Sequence, residues 1–178
     1  MDNMDNTDNT DSTDNRNEKN TEIIQKYINL VYKICITRLG DCIPSSVDDA
    51  CQQVFLNFIS AKPLFKDIKQ EKAWFIKVAI NVCNNLYKEY KRKSNLNIDL
   101  AEIADMPAFS SSAADIAEIM SVLPNKLRDA FYLTCIEEYT AEEAAKILKT
   151  SGAAVRMRVK RAREILRGAY QKEDFIYE

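Results

Sequence analysis

A chain of 178 residues with only 3 glycines and 4 prolines is short for an α/β barrel and too poor in turn-forming residues for hairpins and sandwiches, which leaves an all-helical fold. With no histidine anywhere, Ser-His and Cys-His nucleophile pairs, histidine proton shuttles and His-containing zinc sites are excluded. The net charge of −2 hides a segregation: residues 1–20 carry −4, 21–94 carry +5, 95–120 carry −5 with no basic residue, and 121–178 carry +2. Two basic blocks kept apart by acidic segments suit modules that bind a polyanion.

In chain order, residues 1–20 repeat Asp, Asn and Thr with little to bury and read as a disordered acidic tail. From Ile24 the apolar residues Tyr27, Ile28, Val31, Ile34 and Cys35 follow helical spacing until Gly40 and Pro44. Ser46 with Asp49 has the form of a capping box for a helix whose apolar stripe runs Val47, Ala50, Cys51, Val54, Phe55, Phe58 and Ile59. A loop from Lys62 to Gln70, marked by Pro63, leads to a helix from Glu71 to Lys93 containing Trp74, Ile76, Ala79, Ile80, Cys83, Leu86 and Tyr90. These three helices define a first domain, 21–94. Residues 95–114, with Pro107 and three consecutive serines, read as a flexible linker.

A second domain, 115–170, begins near Asp115, breaks at Leu123-Pro124 and continues through Leu127, Phe131 and Cys135. Thr140 with Glu143 forms a second capping box. Ser151 is placed to cap the last helix, which ends near Ala169 and leaves a tail, 171–178. Ala145, the tight turn at Lys149-Thr150 and Val155 have the spacing of a helix-turn-helix. On its final helix Val155, Val159, Ala162, Ile165 and Leu166 share one face. Arg156, Met157, Lys160, Arg161 and Glu164 lie opposite, with Arg158 at the border. Residues 151–167 hold six basic side chains and one acidic, a distribution that places a helix among phosphates and aims guanidinium groups at guanine edges.

Five cysteines, Cys35, Cys42, Cys51, Cys83 and Cys135, are odd in number and form no C-x-x-C pair. Reduced thiols, with neither a disulfide framework nor a metal site, are the expectation. No apolar run approaches the ~20 residues of a membrane span and no signal-peptide pattern opens the chain, so a soluble, cytoplasmic protein is expected. The adjacent carboxylates Asp48 and Asp49 diverge by about 100° on a helix and have no catalytic partner, so no catalytic residue is assigned.

The order Leu123-Pro124, Arg128, Phe131, Leu133, then the helix-turn-helix with Val155-Arg156-Met157-Arg158 and Arg161-Ala162-Arg163-Glu164, resembles the fourth conserved region of bacterial RNA polymerase sigma factors. The resemblance is to the extracytoplasmic-function group, which keeps two of the family's domains. Asp48-Asp49-Ala50-Cys51-Gln52-Gln53-Val54-Phe55 and Trp74-Phe75-Ile76-Lys77-Val78-Ala79-Ile80-Asn81 resemble that group's second conserved region.

The resemblance implies a three-helix promoter-melting domain and a helix-turn-helix domain. It implies core RNA polymerase, promoter DNA and an anti-sigma factor as partners, and no active site, cofactor or small-molecule substrate. Ser151, Ala153, Arg156, Met157, Arg158, Lys160 and Arg161 would read the minus-thirty-five element. Phe65 and Asn81 would take a flipped base of the minus-ten element, with Asn85, Lys88 and Arg92 along its backbone. Asp49, Gln52, Gln53 and Phe55 would dock on core polymerase. Lys149, Thr150 and Ala154 depart from the family pattern at the turn and the start of the recognition helix. The alternative from the residues alone is a stand-alone helix-turn-helix regulator.

Overall fold

The structure, a computed structural model, describes residues 11–94 and 111–170. The expectations for residues 1–10, for linker residues 95–110 and for the tail 171–178 lie outside them. Among the described residues there are seven α-helices and no strand. Helix α1 spans Asp11–Leu39, α2 Val47–Ala61, α3 Ile68–Ser94, α4 Ser111–Ser121, α5 Asn125–Phe131, α6 Ala141–Leu148 and α7 Gly152–Tyr170.

The first helix starts within the stretch read as a disordered tail. Once Tyr27, Val31 and Cys35 fix the buried part of α1, each further residue adds one backbone bond to an existing helix, which costs far less than nucleating one. The Ser46 capping box does not form: Ser46 makes no side-chain cap bond, and a 3-10 turn over Pro44–Ser46 leads into α2 instead. Helix α3 begins three residues earlier than its apolar period suggested. Asp67 Oδ1 accepts the Gln70 N–H at 2.7 Å and Gln70 Oε1 accepts the Lys66 N–H at 2.8 Å, a cap built from loop residues. Helix α4 likewise takes in residues 111–114, assigned to the linker.

Helices α1, α2 and α3 pack pairwise around Phe75, which is fully buried. Its ring stacks on Tyr27 at 4.6 Å and meets Trp74, Phe58 and Phe55 at 5.1, 5.2 and 5.9 Å. Phe55 is therefore core, a correction to its docking role, because it falls on the inward stripe beside Val54 and Phe58. Ile59 and Ile28, expected on buried stripes, are instead exposed.

In the second block α5 passes into a π-helical turn over Tyr132–Ile136, where the Glu137 N–H reaches back to the Tyr132 carbonyl at 3.0 Å. This wider turn carries Tyr132 and Leu133 into the interior. Helices α5, α6 and α7 then enclose Ala130, Ala144, Ala145, Val155 and Ala162.

The two blocks do not stand apart. Helix α4 lies along α1, and the buried residues of both blocks form one continuous cluster. Two nearly buried arginines hold the seam. Arg128 donates from Nη1 to the Thr37 carbonyl at 2.5 Å, from Nη2 to the Ser121 carbonyl at 2.8 Å and Asp41 Oδ2 at 3.0 Å, and from Nε to the Leu123 carbonyl at 3.2 Å. Arg38 donates to Asn84 Oδ1 at 2.6 Å and pairs with Asp129. The void these residues share with Ile34, Ile76 and Tyr132 is only about 10 Å³, the size of one water at most. At the edge, Lys72 pairs with Glu137 at 2.7 Å and Lys69 with Glu143.

Candidate nucleic-acid and polymerase interfaces

The helix-turn-helix forms as its local signals dictate. Thr140 Oγ1 accepts the Glu143 N–H at 3.3 Å, and Glu143 Oε2 accepts the Thr140 N–H at 3.0 Å, the complete capping box. This carboxylate, also paired with Lys69, is held down to about 2 from the ordinary 4.5, the Lys69 bond contributing most and Thr140 the rest. Lys149 ends α6 at φ 51°, a left-handed position that glycine occupies without strain. Ser151 Oγ then accepts the Ala154 N–H at 3.2 Å and opens α7.

Val155 and Ala162 are buried and Val159 packs against the core. The opposite face presents Arg156, Lys160, Arg161 and Met157, the last 67% exposed. Ser151 and Ala153 are exposed at the start of the helix, and Arg158 is half-buried at its border. The cationic surface therefore points outward. Arg156 Nη1 bonds Glu142 Oε1 of α6 at 2.5 Å, with both side chains mostly exposed. A Cβ on Gly152 would sit 2.6 Å from that same Oε1, so the glycine leaves room for the carboxylate. An exposed pair of this kind is worth little and yields readily to a phosphate or a base. On the flank of α7 a cleft of about 460 Å³ is lined by Thr134, Tyr139, Val159, Lys160, Arg163 and Arg167.

On the first block, Asn81 and Asn85 are exposed on α3 and line an open groove of about 480 Å³ with Asn57, Ser60, Trp74 and Val78. Four of its walls are amides or a hydroxyl and one is an indole, a mixture that stacks a base and reads its edge. Phe65 is not among the lining residues. It packs edge-on at 6.0 Å against Trp74, which is one wall of the groove. Trp74 in turn meets Phe58 edge-on at 6.0 Å and packs against the core. Lys88 and Arg92 are exposed farther along α3.

Asp49, Gln52 and Gln53 are exposed on one face of α2, where Gln53 donates to Asn57 Oδ1 at 3.0 Å. The same face carries Leu56 and Ile59, exposed at 49% and 43%, which the sequence reading missed. Their signal was spacing: Leu56 lies one turn beyond Gln52 and Gln53, and Ile59 two turns beyond Gln52. No local pattern marks the seam pair Arg38 and Arg128 either, since their partners Asn84 and Thr37 lie 46 and 91 residues away along the chain.

All five thiols are free, with Cys35 and Cys83 buried and the others half-buried. Hydrogen bonding among the side chains of Cys35, Cys51 and Cys83 raises Cys35 and lowers Cys83, which Arg38 also favours as thiolate. No group of three or more metal-ligating side chains occurs among the described residues. Among them, too, no helix is long and apolar enough to cross a membrane.

Comparison with known proteins agrees with this geometry. The family model described as "Sigma-70 region 2" matches residues 23–93, and that described as "Sigma-70, region 4" matches residues 111–166. The chain is 27% identical over 157 residues to the ECF RNA polymerase sigma factor SigM of Bacillus subtilis, covering 85% of this chain and 94% of that protein. It is 23% identical over 162 residues to SigW of the same organism, covering 82% and 86%. Among solved structures, the sigma factor RpoE in complex with the anti-sigma factor NepR from Bartonella quintana superposes with a TM-score of 0.70 at 18% identity, over 85% of this chain and 96% of that one. CnrH in complex with the cytosolic domain of CnrY gives 0.60 at 21% identity, over 88% and 90%. With both conserved regions present in order over most of its length, the chain belongs to the sigma-70 family of RNA polymerase sigma factors, in its extracytoplasmic-function group.

Proposed function

We propose that this chain binds core RNA polymerase and directs it to promoters, with α7 reading the minus-thirty-five element and the α3 groove receiving a base of the minus-ten element as the strands part. The observation that carries this reading is the outward cationic face of α7, stiffly mounted by a capped turn, on a helix whose other face is buried. Ser151, Ala153, Arg156, Met157, Lys160 and Arg161 form its contact surface, with Arg158 reaching phosphate from the border. Asn81 and Asn85 read the displaced base, Phe65 keeps Trp74 in place, and Lys88 and Arg92 follow the backbone.

The α2 face of Asp49, Gln52, Gln53, Leu56 and Ile59 docks on core enzyme, its apolar pair providing the area that the glutamines alone lack. An anti-sigma protein is the further partner, as the two solved relatives are each held by another protein. The chain acts in the cytoplasm, without an active site or cofactor of its own. It is organised as two functional domains, 21–94 and 115–170.

The test is run-off transcription with purified core enzyme on candidate upstream sequences. A promoter-dependent transcript and a stable complex with core are expected; absence of both ends the reading. With Asn81→Ala, promoter binding should persist while strand opening slows.

A further inference from the structure

Among the described residues, Arg156 is the only basic side chain of α7 with a carboxylate partner; Arg158, Lys160, Arg161 and Arg167 form no ion pair, and Arg163 Nη2 donates to Cys135 Sγ at 3.6 Å. The partner, Glu142, stands in the first turn of α6, where its Oε1 accepts from Arg156 Nη1 at 2.5 Å. That bond holds the Glu142 carboxyl below its ordinary range. A carboxylate beside a surface made for a polyanion works against affinity. Stability does not account for it, because an exposed pair contributes little.

The residue facing the pair is as telling as the pair. Helix α7 opens on Gly152, although glycine is a poor helix former. A Cβ there would stand 2.6 Å from Glu142 Oε1, 3.2 Å from its Cδ and 3.5 Å from Arg156 Nη1. The nearest of these atoms end a flexible side chain and would move aside at small cost, so what the glycine preserves is the place of the carboxylate. The guanidinium supplies the other half of the argument. Its five N–H groups lie in one rigid plane, and Glu142 engages only Nη1. Among the described residues Nε and Nη2 have no partner. That free edge matches the O6 and N7 acceptors of guanine, which is neutral. A phosphate at the same edge would set two negative charges on either side of one guanidinium.

We propose that Glu142 is a specificity-determining residue that acts through Arg156: its carboxylate holds the guanidinium by Nη1, presents the Nε and Nη2 edge to a guanine of the upstream element, and disfavours phosphate at the same group. Glu142 is thus a positioning residue, and Gly152 keeps its place open. The proposal rests on the reading of α7 as the recognition helix. The carboxylate lowers attraction to DNA of any sequence and sharpens the choice at one base pair, a repulsive element that selects by what it rejects.

The experiment uses the full chain assembled with core enzyme, on a promoter that the wild type transcribes and on every single base-pair change in its upstream element. The base pair at which Arg156→Ala loses discrimination is the one Arg156 reads. There Glu142→Gln, which keeps the shape and removes the charge, should lower discrimination about fivefold or more, within the range of one bidentate contact. Elsewhere in the element it should change nothing. On duplex with a scrambled upstream element the same variant should bind more tightly, with a salt slope steeper by about 1 as one more phosphate is neutralised. In the Arg156→Ala background Glu142→Gln should cause no further loss at that base pair. Gly152→Ala should raise the urea midpoint and yet lose discrimination at the same base pair, opposite signs that a merely structural role would not produce. Unchanged discrimination in Glu142→Gln overturns the proposal. So does a loss spread evenly over the element, a loss that persists in the Arg156→Ala background, or full discrimination in Gly152→Ala. If Arg156→Ala loses discrimination nowhere, the reading of Arg156 as a base contact fails and the role of Glu142 with it. A normal Arg156→Ala effect beside an unaffected Glu142→Gln removes only the latter.

Discussion

The two halves of the molecule solve the same packing problem with different materials. The first gathers Tyr27, Phe55, Phe58, Trp74 and Phe75 into one aromatic cluster across long helices, and Phe75 touches the other four. The second buries five alanines, Ala117, Ala130, Ala144, Ala145 and Ala162, beside Met120, Leu123, Leu133 and Val155, on helices of 7 to 19 residues, and its α4 and Tyr132 join the interior of the first. Small side chains let α6 and α7 approach closely, as a recognition helix requires, but they bury less area. The second block thus leans on the first, and that packing covers part of the first block's surface.

The comparison breaks most visibly at Phe75. Phe75→Ala should cost about 3–5 kcal/mol in urea unfolding, because the ring is fully buried amid four other aromatics. Next comes the seam. Arg128→Ala removes the donor for three carbonyls and Asp41, and should cost about 3 kcal/mol. It should also enlarge the radius seen by small-angle scattering as the blocks separate. Asp41→Asn, at a partner side chain 41% exposed, should cost under about 1 kcal/mol. If Arg128→Ala leaves both radius and midpoint unchanged, the second block does not lean on the first.

On the DNA side, Arg156→Ala should weaken use of the upstream element by about 1–3 kcal/mol in promoter-variant transcription where the lost contact is bidentate to guanine, with little change in folding. At the cap of α6, Thr140→Ala should lower stability by about 1 kcal/mol, measured by urea midpoint. The smallest effect is a titration. The folded Glu143 carboxylate is held at about 2, below the ordinary 4.5. Its contribution is therefore complete above the unfolded value and fades as pH falls from there towards 2. The gap in urea midpoint between wild type and Glu143→Gln should be constant above pH 5 and shrink on acidification.

Some of these features were legible in the residues themselves. Thr140 with Glu143, and Ser151 ahead of α7, each act through a partner three residues away, so a local pattern identified them. The outward cationic face of α7 followed from period alone. Asp67 was missed because its cap lies inside a loop whose apolar period is weak, and Phe55 went to the docking face by family resemblance although its spacing beside Val54 and Phe58 already put it on the apolar stripe.

The sequence by itself determined that this protein is helical, that its charges are segregated and that it carries two conserved regions in order. Helical period, capping and charge act over a few residues and need no knowledge of the rest of the chain. The tertiary structure decided that the two blocks share one interior, that Arg38 and Arg128 are seam residues, and that Asn81 lines a recess with Trp74. Each of those facts depends on backbone carbonyls and side chains tens of residues away, which only packing brings within hydrogen-bond or van der Waals reach.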